Sequence, residues 1–249
     1  NMRIKEKISN YAVKQMFWQF FSIINRMPFA ANFMQKIYQN SSNIKSVMIH
    51  ITNNCNYRCV YCYSNRYQEK AISVNKWISF IEKLKYYNIN TIRISGGEPF
   101  LEKRLFDILK KCEDNNYQVT IFTNGSLIDK NVVEKLKSFQ NQVTISVKYD
   151  SSENYKKKTK SGYGLEFIED NIRLLVNNKI PVVTSITVTK DNFKDVKEML
   201  NKSVDLGAFP LLERYIDVKN SKTNKKLSVS NEEWAEAIKQ FMKVYVDYR

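Results

Sequence analysis

From residue 47 onward, two kinds of hydrophobic pattern alternate along the chain. Short runs rich in apolar and β-branched residues predict strands, and segments whose apolar residues recur at helical spacing predict helices. The predicted strands cover residues 47–51, 91–95, 118–122, 142–147, 181–188 and part of 209–218. The predicted helices cover residues 75–87, 102–114, 129–139, 165–178, 192–206 and 231–248. The chain therefore repeats a strand-then-helix unit.

Regular alternation of strands and helices predicts an α/β fold with a parallel sheet and right-handed crossovers. Six units are fewer than the eight of a closed barrel, so we expect an open, partial (β/α)6 TIM-like barrel over residues 46–218. Its functional side chains are expected at the carboxyl ends of the strands. Residues 219–249 are expected to form a loop and a C-terminal helix.

The chain also has an apolar and aromatic N-terminal stretch. Helical spacing over residues 8–38, interrupted by Pro28, predicts an N-terminal helical extension within residues 1–45. We interpret it as a helical cap on the barrel, with peripheral membrane contact or a peptide-binding arm as alternatives. Asn1, which precedes Met2, is interpreted as a tag remnant.

Composition narrows the class of protein. With 43% hydrophobic residues among 249, the chain can bury a sizeable core, which excludes global disorder. No apolar run reaches the roughly 18 residues of a spanning helix, and the secretory-signal pattern is missing, so we expect a cytoplasmic protein. The net charge of +15 favours anionic partners. Lysine and asparagine are abundant throughout, so compositional bias explains this charge equally well.

The most informative stretch is a cluster of cysteines directly after the first predicted strand. Cys55, Cys59 and Cys62 are spaced so that three thiolates can converge on a soft metal centre in a reducing compartment. A structural zinc would need a fourth ligand, for which Cys112 and His50 are the candidates. A disulfide with one spare thiol is a further alternative. The spacing favours a [4Fe–4S] cluster with one open iron and leaves the other readings open.

Together with a second motif, this cysteine pattern resembles the radical S-adenosylmethionine (radical SAM) superfamily. The sequence carries the CxxxCxxC pattern with Tyr61 before the last cysteine, and Ser95-Gly-Gly-Glu-Pro99 closes the second predicted strand. The resemblance implies that the three cysteines hold a [4Fe–4S] cluster. It also implies that Gly96, Gly97, Glu98 and Pro99 contact the methionyl amine of S-adenosylmethionine. Glycines permit close backbone approach to a ligand, and a carboxylate can accept an ammonium group.

Weaker matches to the same family follow along the chain. Thr123 and Asn124 resemble its TNG segment, and Ser146 its SxD position, although Lys148 stands where many relatives have Asp. The Arg that many relatives carry a little later has no counterpart, since only Lys156, Lys157, Lys158 and Lys160 occur there. Further candidates for contact with cofactor or substrate are residues on the last two strands: Thr187, Thr189, Glu213 and Arg214.

The resemblance implies an activity and partners. A reductant such as flavodoxin or ferredoxin would supply one electron, S-adenosylmethionine would be cleaved to a 5′-deoxyadenosyl radical, and that radical would abstract a substrate hydrogen atom. The C-terminal pattern is similar to relatives with a SPASM or twitch extension. Auxiliary-cluster cysteines are missing from this chain, so we expect either a single-cluster enzyme or a sequence that stops before an auxiliary domain.

Three hypotheses for the function stay open at this level. The first is modification of a ribosomally made, acidic peptide. The second is dehydrogenation or epimerisation of a small molecule such as a sugar. The third is a non-catalytic zinc module that binds nucleic acid. Against the third, no nucleic-acid motif accompanies the lysines, so we expect no nucleic-acid partner.

Overall fold

The computed structural model describes residues 46–62, 72–87, 89–217 and 225–247. The expected N-terminal extension and its possible membrane contact lie outside the described residues. So do residues 63–71, 88, 218–224 and 248–249. The predicted domain boundaries therefore stay predictions.

Six parallel strands form one sheet in the order of the chain, β1-β2-β3-β4-β5-β6. Neighbouring strands pair in register, as in Val47 with Ile92 and Ile121 with Ile145. This confirms the predicted open α/β architecture, with β1 and β6 as the edges of the described sheet. The strands are β1 (Ser46–His50), β2 (Thr91–Ser95), β3 (Gln118–Thr123), β4 (Val143–Tyr149), β5 (Val182–Val188) and β6 (Phe209–Arg214).

Helices follow the strands along the chain. They are α1 (Val74–Lys83), α2 (Leu105–Asp114), α3 (Lys130–Lys137), α4 (Ser152–Thr159), α5 (Leu165–Asn177), α6 (Val196–Asp205) and α7 (Asn231–Asp247). Short 3-10 turns occupy Leu84–Tyr87, Pro99–Leu101 and Lys225–Leu227. No helix within the described residues combines the length and the apolar character needed to cross a membrane.

Two helix boundaries follow from local chemistry. The Asp129 carboxylate accepts a hydrogen bond from the Val132 amide and caps α3, as its residue type predicts. Gly207 follows α6 with φ of +76°, a conformation that glycine adopts without strain.

One helix was predicted with the wrong start, and one helix was not predicted. The helix predicted to start at Asn192 begins at Val196, because the Asn192 side chain bonds the Thr187 carbonyl and the Asp150 carboxylate instead. Helix α4, which the sequence pattern did not predict, is a short lysine-rich segment with little amphipathic periodicity. The first difference reflects hydrogen bonds of Asn192 to nearby Thr187 and to distant Asp150, and the second reflects contacts of α4 with the cysteine loop.

The two faces of the sheet differ in chemistry. The outer face carries apolar residues such as Ile94, Ile121 and Ile145, which form one hydrophobic core with the helices. Alternation along each strand places the remaining side chains on the inner face. There the pattern is largely polar and includes Arg93, Thr120, Thr144, Ser146, Lys148, Ser185, Thr187 and Glu213. The inner face is therefore suited to bind a polar ligand.

Candidate cofactor site

The cysteine loop, residues 51–62, follows β1 at the carboxyl edge of the sheet. None of its three cysteines, Cys55, Cys59 and Cys62, forms a disulfide within the described residues, and all three are partly buried. Burial, together with the neighbouring Cys62 and Cys55, raises the pKa of Cys59 to about 12. Cys112 is also unpaired, but it is buried in α2, away from the loop in sequence.

Backbone hydrogen bonds attach the cysteine loop to the GGEP segment, residues 96–99. The Gly97 amide donates to the Thr52 carbonyl at 2.7 Å, and the Glu98 amide donates to the Asn54 carbonyl, also at 2.7 Å. The parallel pairing of β1 with β2 thus continues past both strands. It sets the path of the chain immediately before the first cysteine.

Two glycines are required for this close approach of backbones. A Cβ atom on Gly96, whose φ is +142°, would lie 2.3 Å from the Thr52 carbonyl oxygen. A Cβ atom on Gly97 would lie 2.1 Å from the Asn54 carbonyl oxygen. Both distances are far inside van der Waals contact, so any larger residue would displace the cysteine loop.

Glu98 connects the GGEP segment to the end of β3. Its carboxylate accepts hydrogen bonds from the Thr123 hydroxyl (2.8 Å), the Asn124 amide (2.8 Å) and the Phe100 amide (3.1 Å). The side chain is fully buried, and burial raises the pKa of Glu98 to about 7. The structure thus brings together three predicted site residues and gives this carboxylate a bracing role. A contact of Glu98 with the cofactor amine stays a prediction.

Asn124 extends this connection to the cysteine loop itself. The side-chain amide nitrogen of Asn124 donates to Asn56 Oδ1 at 2.9 Å and lies 4.0 Å from the Cys55 sulfur. The Ser126 hydroxyl accepts from Asn56 at 2.8 Å and donates to Asn124 at 2.7 Å. Asn56 and Ser126 were not among the predicted site residues. Asn56 could have been included, because it directly follows Cys55 in the sequence.

The second half of the cysteine loop is held by α4. The Val60 amide donates to the Lys158 carbonyl at 2.8 Å, and the Arg58 amide donates to the Thr159 carbonyl at 3.1 Å. These residues flank Cys59 on both sides. The cysteine loop is therefore supported by the GGEP segment at one end and by the last turn of α4 at the other.

Helix α4 is in turn held by a buried charge. The Lys158 ammonium group lies 3.2 Å from the Asp150 carboxylate and donates to the Thr189 hydroxyl at 2.9 Å. Asn192 donates to the same carboxylate at 2.8 Å. Both charged side chains are 2% exposed. Sequence reasoning placed Lys158 only among candidates for an unassigned role and did not identify its partner.

A second polar cluster lies on the inner face of β4, β5 and β6. The Lys148 ammonium group donates to the Thr187 hydroxyl, lies 3.6 Å from the Glu213 carboxylate and sits 5.2 Å from the ring centre of Tyr61. The Ser185 hydroxyl donates to Glu213 at 2.7 Å. Four predicted site residues are therefore neighbours, and Tyr61 brings the cysteine loop into contact with them.

Ser146 and Arg214 have contrasting positions. Ser146 faces the inner side, and its buried hydroxyl has no hydrogen-bond partner among the described residues. Arg214 follows Glu213 on β6 and so points to the opposite face. There it donates to the Val229 carbonyl and to Asn231 at the start of α7. The structure does not bring Arg214 together with the other predicted site residues.

The residues present fit a [4Fe–4S] cluster and S-adenosylmethionine. Three thiols that form no disulfide in the described part of the chain provide soft ligands on one braced loop. The Ser146 hydroxyl, which has no hydrogen-bond partner among the described residues, can bond a polar ligand. Among the described residues, no three His, Cys, Asp or Glu side chains are grouped around the position of a single metal ion. An iron–sulfur cluster binds each thiolate through a different iron, so its three cysteines do not have to converge on one metal position.

Comparison with known proteins identifies the family. The chain matches the Radical SAM superfamily over residues 49–202, which is more than half of its length. The chain therefore belongs to the radical SAM superfamily, whose members are enzymes that use a [4Fe–4S] cluster and S-adenosylmethionine. This confirms the resemblance seen in the two sequence motifs.

The relatives of this chain carry names that describe different activities. The chain is 30% identical over 182 residues to a probable GTP 3′,8-cyclase of Methanocaldococcus jannaschii, covering 71% of this chain and 60% of that one. It is 26% identical over 167 residues to the sporulation killing factor maturation protein SkfB of Bacillus subtilis, covering 66% and 40%. The chain thus spans about half the length of these relatives.

Solved structures share the fold. Streptococcus suis SuiB, crystallised with S-adenosylmethionine, aligns with a TM-score of 0.72 at 18% identity and covers 88% of this chain and 52% of that one. This likeness supports the partial barrel and its open sheet.

Proposed function

We propose that this chain is the catalytic core of a radical SAM enzyme that modifies a ribosomally made peptide. The observation that carries the proposal is the braced cysteine loop above a polar inner face. Cys55, Cys59 and Cys62 would hold the cluster. When bound, the cluster and S-adenosylmethionine supply an organic radical that removes a hydrogen atom from a substrate.

The chain's own residues position these groups. The GGEP segment would offer its backbone to the methionyl amine, with Glu98 and Pro99 shaping the turn. Thr123 and Asn124 would support the same edge of the site. On the inner face, Ser146 would bond the cofactor through its unpartnered hydroxyl.

The Lys148 cluster would complete the site from the opposite side. Lys148 shares its charge with Glu213 and lies against Tyr61. A carboxylate of a bound ligand would compete with Glu213 for this ammonium group. The hydrogen bond to Thr187 would keep Lys148 oriented while the ligand carboxylate replaces Glu213.

Relatives support a peptide as the substrate. SkfB is named as a maturation protein, and AlbA of Bacillus subtilis as a biosynthesis protein for the bacteriocin subtilosin. SuiB has been crystallised with its precursor peptide SuiA. The net charge of +15 suits an acidic peptide. A flavodoxin or ferredoxin as reductant and a location in the cytoplasm remain predictions.

A small molecule is the second candidate substrate. The relative at 30% identity is named as a probable GTP cyclase, which favours a nucleotide among such substrates. The dehydrogenation or epimerisation of a sugar belongs to the same class of alternatives.

One experiment tests the activity. The protein is reconstituted anaerobically with iron and sulfide, reduced with dithionite and supplied with S-adenosylmethionine, and 5′-deoxyadenosine is measured. We expect about four irons per chain and product formation that is lost in Cys55→Ala, Cys59→Ala and Cys62→Ala. Cys112→Ala is the matched control, because this thiol is buried in α2. Product formation by all three cysteine variants would refute the proposal.

A second assay separates the candidate substrates. A precursor peptide, identified by searching for a short open reading frame next to the gene, and GTP are each added to the reduced, reconstituted enzyme. We expect the peptide to increase the formation of 5′-deoxyadenosine and to change in mass. An increase with GTP alone would replace the peptide with a nucleotide as substrate.

A further inference from the structure

Arg93 is a cation on the inner face without a counter-ion among the described residues. It lies in the middle of β2 and pairs in register with Met48 on β1 and Thr120 on β3. The buried Nε atom of Arg93 has no hydrogen-bond partner in this part of the chain. No described carboxylate forms an ion pair with the guanidinium group.

The other charged residues of the inner-face strands are already matched. Lys148 and Glu213 lie 3.6 Å apart and neutralise each other. Register along β2, β3 and β4 places Arg93 on the same face as Ser146 and Lys148. Arg93 therefore supplies an excess positive charge to the space that faces the cofactor site.

An arginine whose buried Nε atom has no acceptor in the described part of the chain is unfavourably placed in the free protein. A buried donor without an acceptor lowers the stability of the folded protein, and a partly desolvated charge adds to this. The surface arginines show the alternative, since Arg104 pairs with Asp107 and Arg173 with Asp170. An apolar residue could occupy position 93, since the paired position on β1 is Met48. This contrast indicates a ligand-binding role for Arg93.

We propose that Arg93 binds a carboxylate of the substrate inside the barrel. This rests on the proposed function and specifies its substrate as a peptide with an acidic residue near the site of reaction. A guanidinium group binds a carboxylate through two parallel hydrogen bonds, so it selects orientation as well as charge. Thr120, buried beside Arg93, offers a hydroxyl on the same face.

Binding of a model peptide tests the proposal without catalysis. The reconstituted 249-residue chain is titrated with acetyl-Gly-Glu-Gly-amide and acetyl-Gly-Gln-Gly-amide in ligand-observed NMR. We expect the Glu peptide to bind at least about tenfold more tightly, and Arg93→Met to abolish this preference. Arg173→Met, a surface arginine of α5, should retain it. No preference in the native protein, or a preference that persists in Arg93→Met, would overturn the proposal.

Two further measurements exclude other roles. Arg93→Met is expected to unfold at the same urea concentration as the native protein or a higher one, whereas a structural role would lower the midpoint. Inorganic phosphate is the second probe. Tighter Arg93-dependent binding of phosphate than of the Glu peptide would overturn the carboxylate assignment and favour a nucleotide. If the native protein forms no 5′-deoxyadenosine, the proposed function is contradicted. The peptide-binding results can still be interpreted, because they do not depend on catalysis.

Discussion

The Lys158 ammonium group lies 3.2 Å from the Asp150 carboxylate, and both side chains are buried to 2% exposure. The carbonyl of the same lysine accepts a hydrogen bond from the Val60 amide, next to Cys59. One residue thus joins a buried ion pair at the end of β4 to the loop that carries the cysteines. The support of the candidate cofactor site therefore depends on residues outside its motifs.

Removing the lysine charge should destabilise the protein strongly. Lys158→Met leaves the Asp150 carboxylate buried without its cation, which typically costs about 3–5 kcal/mol of unfolding free energy. Urea unfolding of the metal-free protein measures the loss. Lys157→Met, an exposed neighbour on α4, should change stability by less than about 0.5 kcal/mol. Equal stabilities of the two variants would contradict the role of the pair.

The close approach at Gly97 should make this position intolerant of a side chain. Gly97→Ala forces the Asn54 carbonyl away from a Cβ atom that would lie 2.1 Å from it. We expect a loss of about 2 kcal/mol or more in unfolding free energy and reduced iron binding after reconstitution. Gly162→Ala is the matched control, because its Cβ atom would have no neighbour within 4 Å. Full iron binding by Gly97→Ala would contradict the bracing of the loop.

Glu98 should make stability depend on pH. Burial raises the pKa of Glu98 from 4.5 to about 7, so the folded state binds more protons than the unfolded state between these values. Stability therefore falls as pH rises from about 4.5 to 7, by about 3 kcal/mol from this group, and is constant above. Glu98→Gln should remove this slope in urea unfolding of the metal-free protein, whereas exposed Glu236→Gln should keep it. Parallel pH profiles of all three proteins would refute the assignment.

Ser146 should contribute to ligand binding and not to folding. Its hydroxyl has no partner among the described residues, so Ser146→Ala should leave the unfolding free energy unchanged or slightly higher. Affinity for S-adenosylmethionine, measured by equilibrium dialysis, should fall about two- to tenfold. Ser203→Ala is the reverse case, because this hydroxyl bonds the Met199 carbonyl within α6. Ser203→Ala should lower stability and leave cofactor affinity intact. Unchanged cofactor affinity in Ser146→Ala would exclude the assigned role of Ser146.

Much of the fold could be predicted from local patterns. The second strand was predicted with both of its ends, and the capping of α3 by Asp129 followed from residue type. Helix α4 could not be predicted in this way, since its stability derives from contacts with the cysteine loop and β5. The start of α6 was misplaced because the Asn192 side chain bonds the backbone of Thr187 and Thr189 and the distant Asp150 carboxylate.

The sequence by itself determined the order of the six strands, the three cysteines proposed as cluster ligands and the two motifs that mark the family. These are local properties, set by hydrophobic period and by residue spacing. Tertiary structure alone decided that Lys158 pairs with Asp150, that Glu213 faces the site while Arg214 does not, and that Arg93 lacks a counter-ion in the described part of the chain. The physical reason is that pairing of charges and desolvation depend on which strands become neighbours.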